Sequence, residues 1–173
     1  MLRIALRSEE GHFIVGELIS IAYKPQHIDF EVPDRFSRLA VDRVRLIANY
    51  GIEGDRKGGH HRRQINIMSY ERLQEMNAEG CQTGPGQMGE QLVVSGIDVE
   101  ALAPGDRIQL GSSACIEVIG LREPCERFEQ VQNFPKERAI GRVGTMARVV
   151  TGGMICTGDE AEVVAKTAEV GHV

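Results

Sequence analysis

The chain has 173 residues, of which 42% are hydrophobic and 26% charged, and its formal net charge at pH 7 is −5. A composition this close to the globular average excludes a disordered chain, and the negative charge excludes non-specific nucleic-acid binding through a basic surface. We expect one domain over residues 1–173, with its core at about 14–165 and a loose tail at 167–173.

Neither a membrane nor an export route is indicated by the sequence. Apolar runs stay far below the roughly 18 residues of a membrane span, and Ser8, Glu9 and Glu10 interrupt the start too early for a signal peptide. The cysteines at 81, 115, 125 and 156 form no C-x-x-C pair, so no structural zinc is predicted. We therefore expect a cytoplasmic protein with free thiols.

In chain order, the predicted elements are mostly short strands separated by glycine-rich turns. Strands are predicted at 13–22, 41–47 and 64–68; the second places Val44 and Leu46 on one face, and the third alternates between apolar and polar residues. Ser69 is predicted to cap a short helix that Gly80 ends, and a second short helix is predicted at 98–102. Residues 107–110 and 114–119 predict a hairpin, and 160–164 a last strand. The pattern favours a mostly-β barrel or sandwich.

A glycine-rich basic segment at 51–63 is the first candidate for a binding site. Its glycines allow close backbone approach to a ligand, and Arg56, Lys57, Arg62 and Arg63 are suited to a phosphate or carboxylate. It lacks the spacing of a P-loop, and a solvated loop explains the composition equally well. Consecutive side chains of an extended segment point to opposite faces, so the adjacent histidines at 60–61 do not predict a shared metal ion.

Cys125 is the candidate reactive group. It follows the predicted strand that ends at Ile119, in a loop that Pro124 restrains. A thiolate there could ligate a metal, attack an electrophile or carry a persulfide sulfur; an inert thiol is the alternative. Glu123 and Glu126 offset the arginines at 122 and 127, so any activation of the thiol must come from residues that the fold brings close. The other three cysteines are expected to have no chemical role.

A third segment, at 84–94, is a glycine-rich turn that runs into a predicted strand. Its glycines are explained by turn conformations with positive φ. Glu90, at the entrance of the strand, is a candidate to orient a ligand or an arginine.

In this order the segments resemble the MOSC family, named for the C-terminal domain of molybdenum-cofactor sulfurase. The resemblance covers about residues 14–165 and rests on G-I-E-G-D-R at 51–56, R-Q-I-N-I at 63–67, G-E-Q-L at 89–92, L-A-P-G-D-R-I at 102–108, R-E-P-C at 122–125, and R-V-V-T-G-G-M-I at 148–155 with G-D at 158–159. The family usually has asparagine where this chain has Gln91, which puts any contact of that amide in doubt.

The resemblance implies a fold, a cofactor and a set of site residues. The fold is an antiparallel β-barrel with a few short helices. The cofactor is the molybdenum cofactor, molybdopterin, with Cys125 as its molybdenum ligand or as a sulfur carrier. The residues that would hold its phosphate and pterin are Lys57, His60, Arg62 or Arg63, and Arg122, with Glu90 added to the cofactor-binding set.

The sequence leaves three functions open. The first is a molybdenum-dependent oxidoreductase that reduces N-hydroxylated substrates, as related proteins do, with electrons from a donor protein. The second is a sulfur carrier, in which a cysteine desulfurase loads Cys125 with persulfide sulfur for metal–sulfur cofactor biosynthesis. The third is a cofactor-binding module without catalysis. Pyridoxal phosphate binding is associated with the family only; the chain shows no sulfurase domain and is not expected to generate persulfide itself.

Overall fold

The computed structural model of the protein describes residues 14–27, 36 and 38–164. The expected tail at 167–173, and the first residue of the strand predicted at 13–22, lie outside these ranges. Within them the strands are β1 (Val15–Tyr23), β2 (Leu39–Val41), β3 (Arg43–Ile47), β4 (Gly51–Ile52), β5 (Ile65–Ser69), β6 (Leu92–Ser95), β7 (Arg107–Leu110), β8 (Ala114–Leu121), β9 (Thr145–Thr151), β10 (Gly153–Cys156) and β11 (Glu160–Val164). The helices are α1 (Tyr70–Ala78) and α2 (Glu126–Gln132), with 3₁₀ turns at Val99–Ala101 and Lys136–Ala139.

Seven of the strands close into a barrel in the order β1-β11-β7-β8-β9-β5-β6, because β6 pairs again with β1. All pairs around the barrel are antiparallel except β5–β6, which is parallel. The strand β2 extends the sheet from β1, while β10, β3 and β4 form a separate three-stranded sheet. The predicted mostly-β barrel is confirmed, with one parallel pair where an antiparallel barrel was expected.

Closure depends on β1, which changes partner along its length. Its first residues pair with β11, its middle with β6 and its end with β2, with an irregularity between Leu18 and Ser20. A Cβ on Gly16 would lie 1.8 Å from the carbonyl oxygen of Ser95. A glycine is therefore required where β1 meets the end of β6.

The described residues form two buried apolar clusters. The larger fills the barrel and includes Leu18, Ile67, Ile108 and Val149; the smaller lies around α1 and α2 and includes Phe128. Together they bury β5 on both faces, because Ile67 belongs to the barrel cluster and its neighbour Met68 to the smaller one.

Most local predictions are confirmed, and the exceptions have physical causes. Val44 and Leu46 are buried while the arginines beside them are exposed. The hairpin of β7 and β8 forms with Leu110 opposite Ala114. The strand predicted at 64–68 forms as β5, and every residue in it is buried, since the smaller cluster packs against Met68 on its outer face. The segment at 98–102 forms only a 3₁₀ turn.

Two helix termini differ from the sequence-based expectation. Ser69 is the N-cap residue of α1, but its hydroxyl makes no capping bond. The Ser69 hydroxyl donates to Oε2 of the buried Glu100 at 2.5 Å. It also accepts from the backbone N–H of Val99 at 2.9 Å. The helix α2 was not predicted, and it begins directly after Cys125. None of the helices in the described ranges combines the length and the apolarity needed to cross a membrane.

Candidate functional site

A cavity of about 750 Å³ opens where the three sequence segments converge. Its floor contains Asn66 and Met146, which pair directly across β5 and β9. Asn66 lies between two residues of the barrel core, so its side chain points to the outer face of β5. The cavity is lined by basic side chains from four parts of the chain: Lys24, Arg38, Arg56, Lys57, Arg63, Arg122 and Arg127.

The basic loop at 53–63 is anchored by a buried carboxylate. Asp55 is fully buried. Its Oδ1 accepts from the backbone N–H of Lys24 at 3.1 Å, and its Oδ2 accepts from Nε2 of Gln91 at 3.1 Å. The Gly-Asp pair of this segment therefore fixes the backbone from which Arg56 and Lys57 reach the cavity.

The Gln91 amide connects this loop to the barrel. Besides its bond to Asp55, Nε2 donates to the carbonyl oxygen of Gln64 at 3.1 Å, and Oε1 accepts from the backbone N–H of Asn66 at 2.8 Å. The longer side chain, at the position where asparagine was expected, thus reaches three partners. It is a structural link between the loop and the first residues of β5.

Arg122 is held rigidly in the wall of the cavity. Its Nη1 donates to the carbonyl oxygens of Met88 at 2.7 Å and Val143 at 3.2 Å. With its amide oxygen turned toward Arg122, Asn66 accepts from the same nitrogen at 3.2 Å and donates to the carbonyl oxygen of Thr145. Burial lowers the pKa of Arg122 to about 10, and the nearby Cys125 opposes the shift. The guanidinium therefore stays charged at neutral pH.

Gly89 allows this arginine to approach the neighbouring wall. Its φ is +84°, and a Cβ there would lie 2.8 Å from Nη2 of Arg122 and 3.3 Å from the ring of Phe36. The Cζ atom of Arg122 is 5.9 Å from the centroid of that ring, within the range of a cation–π contact. A side chain at position 89 would push this pair apart.

Glu90 lies behind the cavity wall and is not among the residues that line it. It is 1% exposed, and its two oxygens accept from the backbone N–H groups of Gly86 at 2.6 Å and Met88 at 3.0 Å. Burial raises its pKa to about 7, while these hydrogen bonds and Arg38 lower it. In the structure Glu90 shapes the turn whose Met88 carbonyl holds Arg122; direct contact with a cofactor stays a prediction.

Arg38 was not singled out from the sequence. It lines the cavity, and its Nη1 is buried with no hydrogen-bond partner among the described residues. Burial lowers its pKa, whereas Asp55 and Glu90 favour its charged form. A buried donor without a partner lowers the stability of the folded protein by about 1–3 kcal/mol. Such an unsatisfied donor is the arrangement expected of a group that binds a ligand. Lys24 and Phe36 were missed as well, because no motif marks the segment that carries them.

Cys125 is exposed and lines the same cavity as Arg63 and Arg122. It occupies the N-cap position of α2, so the helix start fixes its backbone. The other three cysteines, all in the described part of the chain, do not line this cavity: Cys81 and Cys115 are buried and Cys156 is partly exposed in β10. The structure thus brings one thiol to the basic residues supplied from far upstream.

His60 and Arg62 were predicted to bind the cofactor together with Lys57 and Arg63. Of these four residues, Lys57 and Arg63 line the cavity and the other two do not. The backbone N–H of Arg62 donates to Nδ1 of His60 at 3.2 Å. The rings of His60 and His61 stack with centroids 5.0 Å apart, so these consecutive side chains do not point to opposite faces as the extended geometry implied. Roles for His60 and Arg62 in cofactor binding stay predictions.

Comparison with known proteins adds a family and a fold. The family model described as the MOSC domain matches residues 54–162. The YUAD protein from Bacillus subtilis has 24% identity, a TM-score of 0.71, and coverage of 88% of this chain and 97% of that chain. YiiM from Escherichia coli has 20% identity and a TM-score of 0.63, and the match covers 89% of this chain and 72% of that chain. At these identities the two structures show a shared fold.

A curated relative matches a shorter stretch. A protein named "Reductase" from Gibberella moniliformis is 36% identical over 78 residues, which are 43% of this chain. The match spans only 14% of that relative's length.

Proposed function

The chain belongs to the MOSC domain family, and from this premise we propose that it binds a molybdenum–pterin cofactor in the basic cavity and reduces N-hydroxylated compounds. In this proposal the Sγ atom of Cys125 is the molybdenum ligand. The protein works in the cytoplasm and receives its electrons from a donor protein.

The residues present fit such a cofactor. The cavity volume of about 750 Å³ falls within the roughly 300–1,000 Å³ of small-molecule sites. Charge-assisted donors suited to a phosphate are abundant, and the Nη1 of Arg38, which has no partner within the described part of the chain, supports an anionic occupant. A thiol, which can ligate a metal as its thiolate, is exposed on the same cavity.

The roles follow from where the side chains lie. Lys57 and Arg63 on the anchored loop, with Arg38, would bind the phosphate. Arg122 and Phe36, a guanidinium beside a ring, would contact the planar pterin. When bound, the cofactor supplies the two-electron chemistry; the protein supplies binding, orientation and exclusion of water.

The single observation that carries this proposal is the shared cavity of Cys125, Arg63 and Arg122. Arg63 lies 62 positions before Cys125 in the sequence, yet both line this cavity. An inert surface cysteine would not require such surroundings.

The test is reduction of N-hydroxylated cytosine by cofactor-loaded protein with a reduced viologen as donor. Cys125→Ser should lose more than the roughly 10–100-fold that loss of an outer-shell partner costs. Cys156→Ser, which alters a partly exposed thiol outside the cavity, should keep its rate. Equal rates for wild type and Cys125→Ser would overturn the proposal. Wild-type protein that carries the cofactor but does not reduce N-hydroxylated cytosine would also overturn the proposal.

A sulfur carrier is the second candidate, favoured by the exposure of the Cys125 thiol. In this alternative a cysteine desulfurase transfers a sulfur atom to Cys125, and the protein passes it to an acceptor. Cyanide would then release thiocyanate from sulfur-loaded wild type and from Cys156→Ser, but not from Cys125→Ser. Equal release from all three proteins would exclude it.

A further inference from the structure

Tyr50 directly precedes β4 and packs against the basic loop at 53–63. A Cβ on Gly58 would lie 2.3 Å from Cζ of Tyr50 and 2.5 Å from its hydroxyl oxygen. A Cβ on Gly59 would lie 3.6 Å from a carbon of the same ring. The absence of side chains at these two glycines therefore lets the backbone of the loop contact the ring directly.

The glycine at position 58 is required by space and not by backbone conformation. Gly54 and Gly59 each have a φ of +78°, which favours glycine whatever lies beside it. Gly58 has no such positive φ, so a larger residue could adopt its backbone conformation. Contact with the Tyr50 ring is what excludes a side chain there.

The hydroxyl of Tyr50 connects the ring to a further segment that holds the loop. It accepts a hydrogen bond from Nε2 of Gln26 at 2.9 Å, and the same nitrogen donates to the carbonyl oxygen of Asp55 at 3.2 Å. The backbone N–H of Gln26 donates to the carbonyl oxygen of Gly54 at 2.9 Å, and the N–H of Gly59 donates to the carbonyl oxygen of Tyr50 at 2.9 Å. Tyr50 thus holds the loop through both its backbone and its side chain.

Lys57 lies in the turn that these contacts hold. The N–H of Gly58 donates to the carbonyl oxygen of Asp55 at 2.9 Å, and the N–H of His60 donates to the carbonyl oxygen of Lys57 at 3.2 Å. The Lys57 side chain lines the cavity, but its ammonium group makes no hydrogen bond or salt bridge to any described residue. Its position in the cavity therefore depends on the backbone that packs on Tyr50.

We propose that Tyr50 is a positioning residue for the phosphate of the cofactor, because its contact with Gly58 fixes the backbone from which Lys57 reaches the cavity. This inference rests on the proposed function for the identity of the anion. Tyr50 does not line the cavity, so it acts through Lys57. A loop that is already fixed lowers the ordering cost of binding, since it need not be immobilised when the anion arrives.

The test is a double-mutant cycle between Tyr50 and Lys57. Calorimetry measures the affinity of the full chain, purified without cofactor, for inorganic phosphate. Lys57→Gln should weaken binding about tenfold, as expected when one charge-assisted contact is lost. Tyr50→Ala should weaken it by a similar factor, and the double variant should stay within about twofold of Lys57→Gln, because the two residues act as a unit.

Two results of this cycle would overturn the inference. If the two losses multiply in the double variant, Tyr50 stabilises the fold without positioning Lys57. If Tyr50→Ala binds phosphate as tightly as wild type, the ring has no part in binding. Wild-type protein that binds no phosphate would overturn the inference as well.

Gly58→Ala tests the contact itself, since its methyl group would collide with the ring. It should weaken phosphate binding in wild type and in Tyr50→Phe, which keeps the ring and also serves if Tyr50→Ala does not fold. In Tyr50→Ala the ring is absent, so the same methyl group should have little further effect. Wild-type affinity in Gly58→Ala would contradict the proposed contact.

Tyr70→Ala is the matched control, because Tyr70 is 40% exposed at the start of α1 and does not line the cavity. It should keep the wild-type affinity for phosphate, and a loss equal to that of Tyr50→Ala would contradict a specific role for Tyr50. Failure of the proposed function is distinguishable. Protein that contains neither molybdenum nor pterin, yet shows the coupling of Tyr50 to Lys57, would lose the proposed cofactor and keep Tyr50 as the positioning residue of an anion site.

Discussion

At Arg38 a buried guanidinium nitrogen has no hydrogen-bond partner among the described residues, although the side chain lines a cavity. Such an arrangement lowers the stability of the folded chain. The unsatisfied nitrogen is useful only if a ligand accepts its hydrogen bond. Replacing Arg38 should therefore change the stability of the fold and the affinity for the ligand in opposite directions.

Arg38→Met tests this opposition, because methionine keeps much of the length without the charge. The free energy of unfolding should stay the same or rise by about 1 kcal/mol, since an unsatisfied buried donor is removed. The affinity for inorganic phosphate should fall about tenfold, since a charge-assisted bond is lost. Urea denaturation and calorimetry measure the two effects. A loss of stability of more than about 2 kcal/mol would instead assign Arg38 to the fold.

Glu90 gives the second prediction at this scale, a dependence of stability on pH. Burial raises its pKa to about 7 from the ordinary 4.5. Between these values the folded protein keeps a proton that the unfolded chain has released, so stability falls as the pH rises through this range. Glu90→Gln cannot titrate, and its loss of one backbone acceptor costs the same at every pH.

The measurement is the free energy of unfolding of both proteins from pH 5 to 8, without ligand. The advantage of wild type over Glu90→Gln should shrink as the pH rises. A difference that is constant, or that grows with pH, would contradict the burial of an ionisable carboxyl at this position.

Sequence reasoning found some residues of the site and missed others for a clear reason. Lys57, Arg63, Arg122 and Cys125 stand in segments with recognisable patterns, and all four line the cavity. Arg38 stands in a stretch without such a pattern. Its position depends on the pairing of β2 with the end of β1, which local spacing does not reveal.

At the scale of elements, the turn before β6 determines the wall of the cavity. Gly89 has a φ of +84°, and a Cβ there would meet Arg122 Nη2 at 2.8 Å. Gly141 has a similar φ of +74°, but a Cβ at that position would have no neighbour within 4 Å among the described residues. The two glycines share a backbone conformation with positive φ, which glycine adopts without strain, but they differ in what lies beside them.

Gly89→Ala and Gly141→Ala form a matched pair on this basis. Each should lose about 1–2 kcal/mol of stability, because alanine is strained at positive φ. Only Gly89→Ala should weaken binding of the proposed cofactor, since its methyl group displaces Arg122 from the position that would contact the pterin. Thermal unfolding and calorimetry separate the two effects. Equal affinity for the cofactor in both variants would show that the position of Arg122 is not set by this turn.

The link between the 53–63 loop and the barrel depends on the length of one side chain. Gln91 reaches Asp55, the Gln64 carbonyl and the Asn66 backbone at 2.8–3.1 Å. Gln91→Asn is one methylene shorter and cannot keep all three contacts. It should cost about 1–3 kcal/mol, because buried partners lose their hydrogen bonds, and amide exchange in the loop should accelerate. Unchanged exchange at 53–63 would indicate that Asp55 holds the loop without Gln91.

The elements also show where pattern reasoning succeeds. The strand β3 has one buried face, so the period-two pattern identified its core residues correctly. The strand β5 is buried on both faces, and the alternation in its sequence identified the strand but did not reveal the burial of both faces. The helix α2 is seven residues long, and its buried residues are two apolar side chains and Gln132. Such a short helix leaves a weak signal in the sequence.

For the molecule as a whole, the barrel brings together segments that are distant in sequence. The strands β5 and β6 are parallel neighbours, so the loops that lead into them lie at the same end of the sheet. These are the basic loop and the turn that contains Glu90. The fold class and these two loops were predictable from glycine spacing and resemblance to a family. The parallel pair, and the cavity it creates with the segment around Arg38, depend on long-range pairing.

Whether the basic cavity holds a molybdenum–pterin cofactor is decided by the molybdenum and pterin content of protein purified from cofactor-producing cells. We expect close to one of each per chain in wild type, with Cys125→Ser losing the metal contact and Arg63→Ala and Arg122→Ala losing affinity for the cofactor. Wild-type protein that contains neither molybdenum nor pterin, and that binds neither on reconstitution, would contradict the proposed function.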